Sequence, residues 1–201
     1  MHKLAGLLAA ALVAATLAWA PGCGPSASKR PADVDRKLSQ STYIEEGKLV
    51  ALIVGTRVTR YREERPFIPL EIAVVNKGLA SLTFTAESFT LIDQEGNRYS
   101  TVGFDELSKS YGSIDLDRRL AEVPSVVRGT YQGGYAERPS TLTGSFDKPL
   151  VERVNLPKFA YVIDMIYFPT PPSGVKGRKF ELFLDAPELE EPVFVRFEVH
   201  S

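Results

Sequence analysis

The bulk of the chain is predicted to fold as an all-β antiparallel sandwich carrying one or two short helices. Three observations predict it. After Gly47, apolar and polar residues alternate at period two through several stretches, as they do where successive side chains leave opposite faces of a pleated strand. Clusters of Asn, Gly and Pro separate these stretches at short intervals. Helical spacing of apolar residues is offered only by 33–40 and by part of 104–121.

Residues 1–22 stand apart from that fold. Lys3 supplies a positive start, and Leu4 to Ala20 is an uncharged, Ala/Leu-rich run of 17 residues. A spanning helix wants about 20 apolar residues, so the run is marginal for an anchor and acceptable for a signal-peptide core. Ala18-Trp19-Ala20 has the small-x-small form of a secretory cleavage site. A cut after Ala20, however, would set Pro21, with its fixed φ and missing N–H, directly downstream. The other readings are a cut between Gly22 and Cys23, or a retained anchor.

Small residues leading to Gly22-Cys23, then Gly24-Pro25-Ser26, resemble the signal of bacterial lipoproteins. That resemblance implies cleavage before Cys23, lipidation of its thiol by a diacylglyceryl group (palmitate-type chains), and an extracytoplasmic protein held on the cell membrane. In a cell with two membranes, Gly24 after the cysteine implies the outer membrane, facing the periplasm. Residues 23–32 then form the lipidated cysteine and a tether of Gly/Pro/Ser/Ala composition, and 33–201 form the sandwich domain.

Within the domain, Asp33 caps a predicted short helix over 33–40, with Val34 and Leu38 four apart on one face. In Leu49–Val58, Val50, Leu52, Val54 and Val58 point one way, with Thr56 the one interruption. In Phe67–Asn76, Ile68, Leu70, Ile72 and Val74 form one face and Glu71 lies on the other. Leu82, Phe84 and Ala86 alternate with Ser81, Thr83 and Thr85, and Val193, Val195, Phe197 and Val199 alternate with Phe194, Arg196 and Glu198. Further strands are predicted at 88–93, 98–102, 126–131, 159–168 and 179–185, and about two helical turns from Asp115 to Ala121.

The stretch Ile72-Ala73-Val74-Val75-Asn76-Lys77-Gly78, followed by Phe89-Thr90-Leu91-Ile92-Asp93 and by Gly96-Asn97-Arg98-Tyr99, resembles the immunoglobulin-like extracellular domains of bacterial lipoproteins. It spans 72–99 and implies an immunoglobulin-like topology without implying a biochemical role; residues 103–158 have no counterpart in it.

Composition narrows the chemistry. Lys plus Arg is 24 against 25 Asp plus Glu, which gives no long-range field for nucleic acid, so no nucleic-acid partner is expected. A single cysteine excludes an intramolecular disulfide or a cysteine-based metal site in one chain. The two histidines are His2 and His200. His200, next to the C-terminus, is expected to fray, which leaves no positioned imidazole for a nucleophile–His pair. Met165 is the lone methionine besides Met1, and no GxxxxGK[ST] or GxGxxG motif occurs. No cofactor or metal is expected.

Asp164 stands out, since by strand parity it shares a face with Ala160, Val162, Ile166 and Phe168. A carboxylate there must be paired, hydrogen-bonded or raised in pKa. It is either a general acid working with Asp93, Glu95 or another carboxylate, or a structural group bonded to an Arg, an edge amide or a water; the structural role is expected. Asp93-Gln94-Glu95-Gly96-Asn97 offers oxygens for calcium but lacks the downstream bidentate Glu, and a hairpin turn explains it equally. Arg57, Arg60, Arg62 and Arg65 read as an exposed hairpin end.

The candidate binding group is Arg128, Tyr131, Tyr135 and Arg138, around Gly129, Gly133 and Gly134. Tyrosines on a glycine-rich loop between arginines have the composition of recognition surfaces; the bland alternative folds the tyrosines back onto the sandwich. The expectation is therefore a non-enzymatic, lipid-anchored binding or envelope-accessory protein whose partner is an unknown envelope protein or glycan. A carboxylate-dependent envelope hydrolase and a structural periplasmic spacer are the alternatives. On the lipoprotein reading, Cys23→Ser releases the protein from the membrane fraction, and co-sedimentation of that variant with membranes would refute it.

Overall fold

The computed structural model describes residues 34–144 and 152–200; the predicted leader, Cys23 and the predicted tether lie outside them. In chain order the elements are β1 (Arg36–Lys37), β2 (Thr42–Glu46), β3 (Val50–Gly55), the single turn α1 (Arg57–Arg60), β4 (Phe67–Asn76), β5 (Ser81–Phe84), β6 (Phe89–Asp93) and β7 (Arg98–Ser100). Then come α2 (Phe104–Ser110), α3 (Ile114–Leu120), α4 (Val123–Tyr131), β8 (Ala136–Arg138), β9 (Val154–Pro157), β10 (Ala160–Pro169), β11 (Lys179–Leu184) and β12 (Val193–Glu198). The fold is mostly β-sheet with a few short helices.

A six-stranded sheet has the order β1-β2-β3-β4-β10-β8, a four-stranded sheet the order β12-β11-β6-β7, and β5 pairs with β9. The two larger sheets share one apolar core. Val50, Leu52 and Val54 from β3 and Ile68, Leu70, Ile72 and Val74 from β4 meet Phe180, Leu182, Val195 and Phe197 of the other sheet. These are the faces that period-two parity selects. Phe197 stacks on Phe180 at 5.7 Å and lies 6.2 Å from Tyr43.

The other face of the six-stranded sheet is also buried, which alternation alone does not reveal. Ala51, Ile53, Ala73 and Val75 pack under Val123, Val127 and Tyr131 of α4, and Phe67 and Tyr167 pack against Leu107, Tyr111 and Ile114 from α2 to α3. Residues 126–131, predicted as a strand, are therefore the second half of a helix. Pro124 sits in its first turn, and Val123, Val127 and Tyr131, four apart, line its buried side.

The predicted helix at 33–40 is absent from its described part. Leu38 and Ser39 N–H both donate to the Thr42 carbonyl (2.8 and 3.4 Å), and the chain turns back so that β1 can pair with β2. The stretch 49–58 ends as a strand at Gly55, after which Val58 buries beneath the helices on the outer face. Pro69 stands in β4 beyond the reach of β3, and its carbonyl accepts the Thr59 hydroxyl at 2.5 Å. One pair departs from antiparallel order: β8 runs parallel to β10.

Asn76, fully buried, fastens one end of the six-stranded sheet. Its Nδ2 donates to the Leu79 and Leu156 carbonyls at 3.0 and 2.9 Å, and its Oδ1 accepts from Leu79 N–H at 2.9 Å. The Asn-Lys-Gly turn thus binds the turn after β4 to the end of β9. Because Phe197 is 1% exposed at the junction of the two sheets, Phe197→Ala is expected to cost about 3–5 kcal/mol in urea unfolding; a cost below about 1 kcal/mol would contradict its place in the core.

Candidate functional site

The four residues singled out in the sequence do not form one exposed loop. Arg128 lies on α4 and is bound by two hydrogen bonds (2.8 and 2.7 Å) to the carboxylate of Glu137 in β8. Glu137 also accepts the Tyr161 hydroxyl at 3.1 Å, and the guanidinium beside it holds its carboxyl below the usual range. Tyr131 is a core residue, 6% exposed, and burial pushes its phenol up to about 12. Its hydroxyl makes no hydrogen bond among the described residues. The tyrosines fold back because Gly129 lies within α4 and Gly133 and Gly134 follow its end, where Gly134 and Tyr135 N–H both donate to the Tyr131 carbonyl (3.1 Å each).

What remains at the surface is narrower. Tyr135, half-buried, stands edge-on to Tyr131 at 5.3 Å and to Phe159 at 5.8 Å, so an aromatic row leads from the core to exposed Phe159. Arg138 is exposed on β8, the end strand of its sheet among the described residues. It lines an open concavity of about 400 Å³ with Pro139, Arg153, Asn155 and Pro157. The sequence signal for Arg153 was nil, because its strand neighbour β9 was not predicted.

The carboxylates are engaged within the fold. Asp164 Oδ2 accepts Ser140 Oγ at 2.7 Å and the Leu142 N–H at 2.6 Å, Oδ1 accepts its neighbour's amide at 2.8 Å, and Arg118 lies 3.7 Å away. That is the bonded arrangement expected of a structural Asp164. It borders a cavity of about 190 Å³ shared with Glu71, Arg118 and Met165. Glu71 was read as lying on the open face of its strand, yet it is 1% exposed beneath α4. Its Oε2 accepts the amides of Glu122 and Val123 (2.5 and 2.7 Å) at the start of that helix. Burial raises its carboxyl above the ordinary value in spite of these bonds.

Asp117 on α3, fully buried, takes Arg62 Nε at 2.8 Å, Tyr111 Oη at 2.6 Å and Tyr167 Oη at 3.3 Å. Arg62 is thereby a strut between the α1 turn and α3 rather than part of a basic hairpin tip. Asp93 accepts Glu95 N–H, Asn97 N–H, Asn97 Nδ2 and Tyr99 Oη at 2.8–3.0 Å. Burial would raise its carboxyl, but these donors outweigh it and lower it. Both its oxygens serve the hairpin with Gly96 at φ 88°, the turn reading of that motif. His200, expected to fray, contacts Lys37 Nζ at 2.8 Å and Tyr43 Oη at 3.1 Å. Among the described residues, no three His, Cys, Asp or Glu side chains gather as metal ligands, and no helix is long and apolar enough to cross a membrane.

No family model and no curated protein matches the chain. Among solved structures, it is similar to a "putative lipoprotein" (ycdA) from Bacillus subtilis at 12% identity, covering 77% of this chain and 38% of that one, with a TM-score of 0.42. It is also similar to the yjhA protein of Bacillus subtilis, at 9% identity, covering 77% of this chain and 96% of that one, with a TM-score of 0.39. The chain thus spans under half of the first protein and nearly all of the second.

The placement of Tyr131 sets a stability test. Tyr131→Ala is expected to cost roughly 3 kcal/mol by chemical denaturation, whereas Tyr131→Phe, which removes only an unpaired hydroxyl, is expected to be neutral or slightly stabilising. Equal and negligible effects of both would return Tyr131 to the surface.

Proposed function

We propose that this is a lipid-anchored, extracytoplasmic, immunoglobulin-like domain that acts by binding, without enzymatic chemistry, as an accessory of the cell envelope. The observation that carries the reading is the division of polar groups. Asp93, Asp117, Asp164 and Glu71 all bind donors inside the fold, while Arg138, Arg153 and half-buried Tyr135 reach the surface around the end strand β8. Such an edge, with two cations and a tyrosine ring beside them, suits an acidic or glycan partner: arginine forks carboxylates or phosphates, and a flat ring stacks on sugars or peptide planes. The Gly22-Cys23 motif supplies the anchor in this reading, and the anchor keeps a weak site at high effective concentration near its partner.

A carboxylate-dependent hydrolase remains the second reading because Glu71 and Asp164 border the same cavity. It is disfavoured by the bonds Asp164 already makes with Ser140, Leu142 and Arg118. Cross-linking of the anchored protein in its native envelope tests the choice. The pair Arg138→Glu, Arg153→Glu is expected to abolish capture of the partner with little change in melting temperature. Unchanged capture would remove the β8 edge from the site.

A further inference from the structure

The geometry points to one end of the six-stranded sheet as a bilayer-contacting tip, with Leu49 and Phe159 inserted into the lipid interface. The inference rests on the anchor reading above and adds an orientation to it.

Two of the few large apolar residues left exposed, Leu49 and Phe159, are each 50% accessible, and the register places them together. Val50 and Ala160 are both opposite Asn76, one on each side of β4. Leu49 and Phe159, one residue further out, therefore lie at the same level on the two strands that flank β4, about 10 Å apart across it. Phe159 is held there at a cost. Its φ of 57° makes it the one non-glycine with positive φ among the described residues, a conformation that bulky side chains avoid. It is fixed by its N–H to the Asn76 carbonyl (2.9 Å), by the Ala136 N–H to its own carbonyl (2.9 Å), and by the ring of Tyr135. A strained backbone that presents an aromatic ring to solvent has no use in the core beneath it.

Lysines frame the pair. Lys158 Nζ lies 4.8 Å over the Phe159 ring, Lys77 Nζ donates to the Gly47 carbonyl at 3.0 Å, and Lys48 is exposed beside Leu49. Apolar rings and chains flanked by ammonium groups match the headgroup boundary, where the ring lies among acyl chains and the charges meet phosphates. The acidic residues Glu188, Glu190 and Glu191 precede β12 on the other sheet, so contact falls on the six-stranded side alone.

The direction of β1 selects the bilayer as the occupant. Arg36 is opposite Ile44 and Lys37 opposite Tyr43, so β1 followed backward heads toward the Gly47–Leu49 turn, and Asp35 just before it is held by β12, its N–H donating to the Arg196 carbonyl at 3.0 Å. Arg36 bonds Glu46 at 2.7 Å, and Glu46 in turn meets Lys77 at 3.4 Å. The chain therefore joins the domain at the end that carries Leu49 and Phe159. Ten residues lie between Cys23 and Val34, so a lipid on Cys23 holds this end within about 40 Å of the bilayer even at full stretch. The two acyl chains of the diacylglyceryl group already hold the chain on the membrane, and an inserted tip fixes the orientation of the domain against it.

Trp19, in the segment removed with the leader, is the chain's single Trp, so an introduced Trp reports alone. The full lipidated chain is reconstituted in phosphatidylethanolamine/phosphatidylglycerol vesicles with brominated acyl chains, as Phe159→Trp, as Leu49→Trp, and as Tyr61→Trp and Glu190→Trp controls. Tyr61 follows β3 at the opposite end of the sheet. The expected result is blue-shifted emission at 159 and 49, quenched several-fold more than at 61 and 190. Equal, water-like emission at all four sites, with the protein still bound to vesicles, overturns the tip while sparing the anchor. Shielding of 159 from aqueous iodide without quenching by brominated lipid assigns the patch to a protein partner and also overturns it. Failure of the wild-type chain to associate with vesicles overturns the anchor reading and the tip with it.

Discussion

The ten-residue ladder between β4 and β10, from Phe67 opposite Pro169 to Asn76 opposite Ala160, is the constraint on which the rest of the molecule depends. Every residue of β4 is buried. A strand pair of that length with apolar side chains on both faces cannot rest one face in water, so each side needs a cover. The four-stranded sheet supplies one cover through Phe180, Leu182, Val195 and Phe197. The helices between β7 and β8 supply the other.

Covering a sheet with short helices raises a second problem, because helices of seven to nine residues leave much of their backbone unpaired at the ends. The buried carboxylates answer it. Glu71, projecting from β4, accepts the first amides of α4. Asp117 returns the favour from α3, gathering Arg62, Tyr111 at the end of α2 and Tyr167 of β10. Asp164 holds the 140–142 segment at the sheet edge. Each carboxylate lies where a helix or loop must be fixed to the sheet, and burial raises those of Glu71 and Asp117. Together the three carboxylates rivet the second layer to the sheet.

This explains what the sequence made legible. Parity found the inner faces of β3, β4, β5 and β12 because their alternation reports a single apolar environment. It misread Glu71 because the opposite face of β4 also carries Ala73 and Val75, and a lone carboxylate among them looks like a solvent face. It took 126–131 for a strand because Val126, Val127 and Tyr131 are β-formers; the spacing of four from Val123 to Val127 to Tyr131, with Pro124 ahead, was the helical signal. Strands β1, β2, β8 and β9 are short or charged, and their pairing is decided by partners far away in the chain. At the candidate site, Arg138 and Tyr135 keep surface positions, whereas Arg128 and Tyr131 became structural through Glu137 and the α4 core. Pairings of that kind, between β8 and α4 or between Arg138 and Arg153, have no signature in spacing.

The β4–β10 ladder also sets an order of assembly. One edge of β4 meets β3, the strand before it in the chain, while the other waits for a partner 84 to 102 residues later. Local hairpins close in microseconds, but a contact of that separation comes late and dominates the folding time. Until residue 160 arrives, a long apolar edge stands open as a template for any other strand. A chain supplied from its N-terminus thus spends its vulnerable interval with β1–β4 formed and unsealed, which makes β10 the segment whose delivery ends the risk of aggregation.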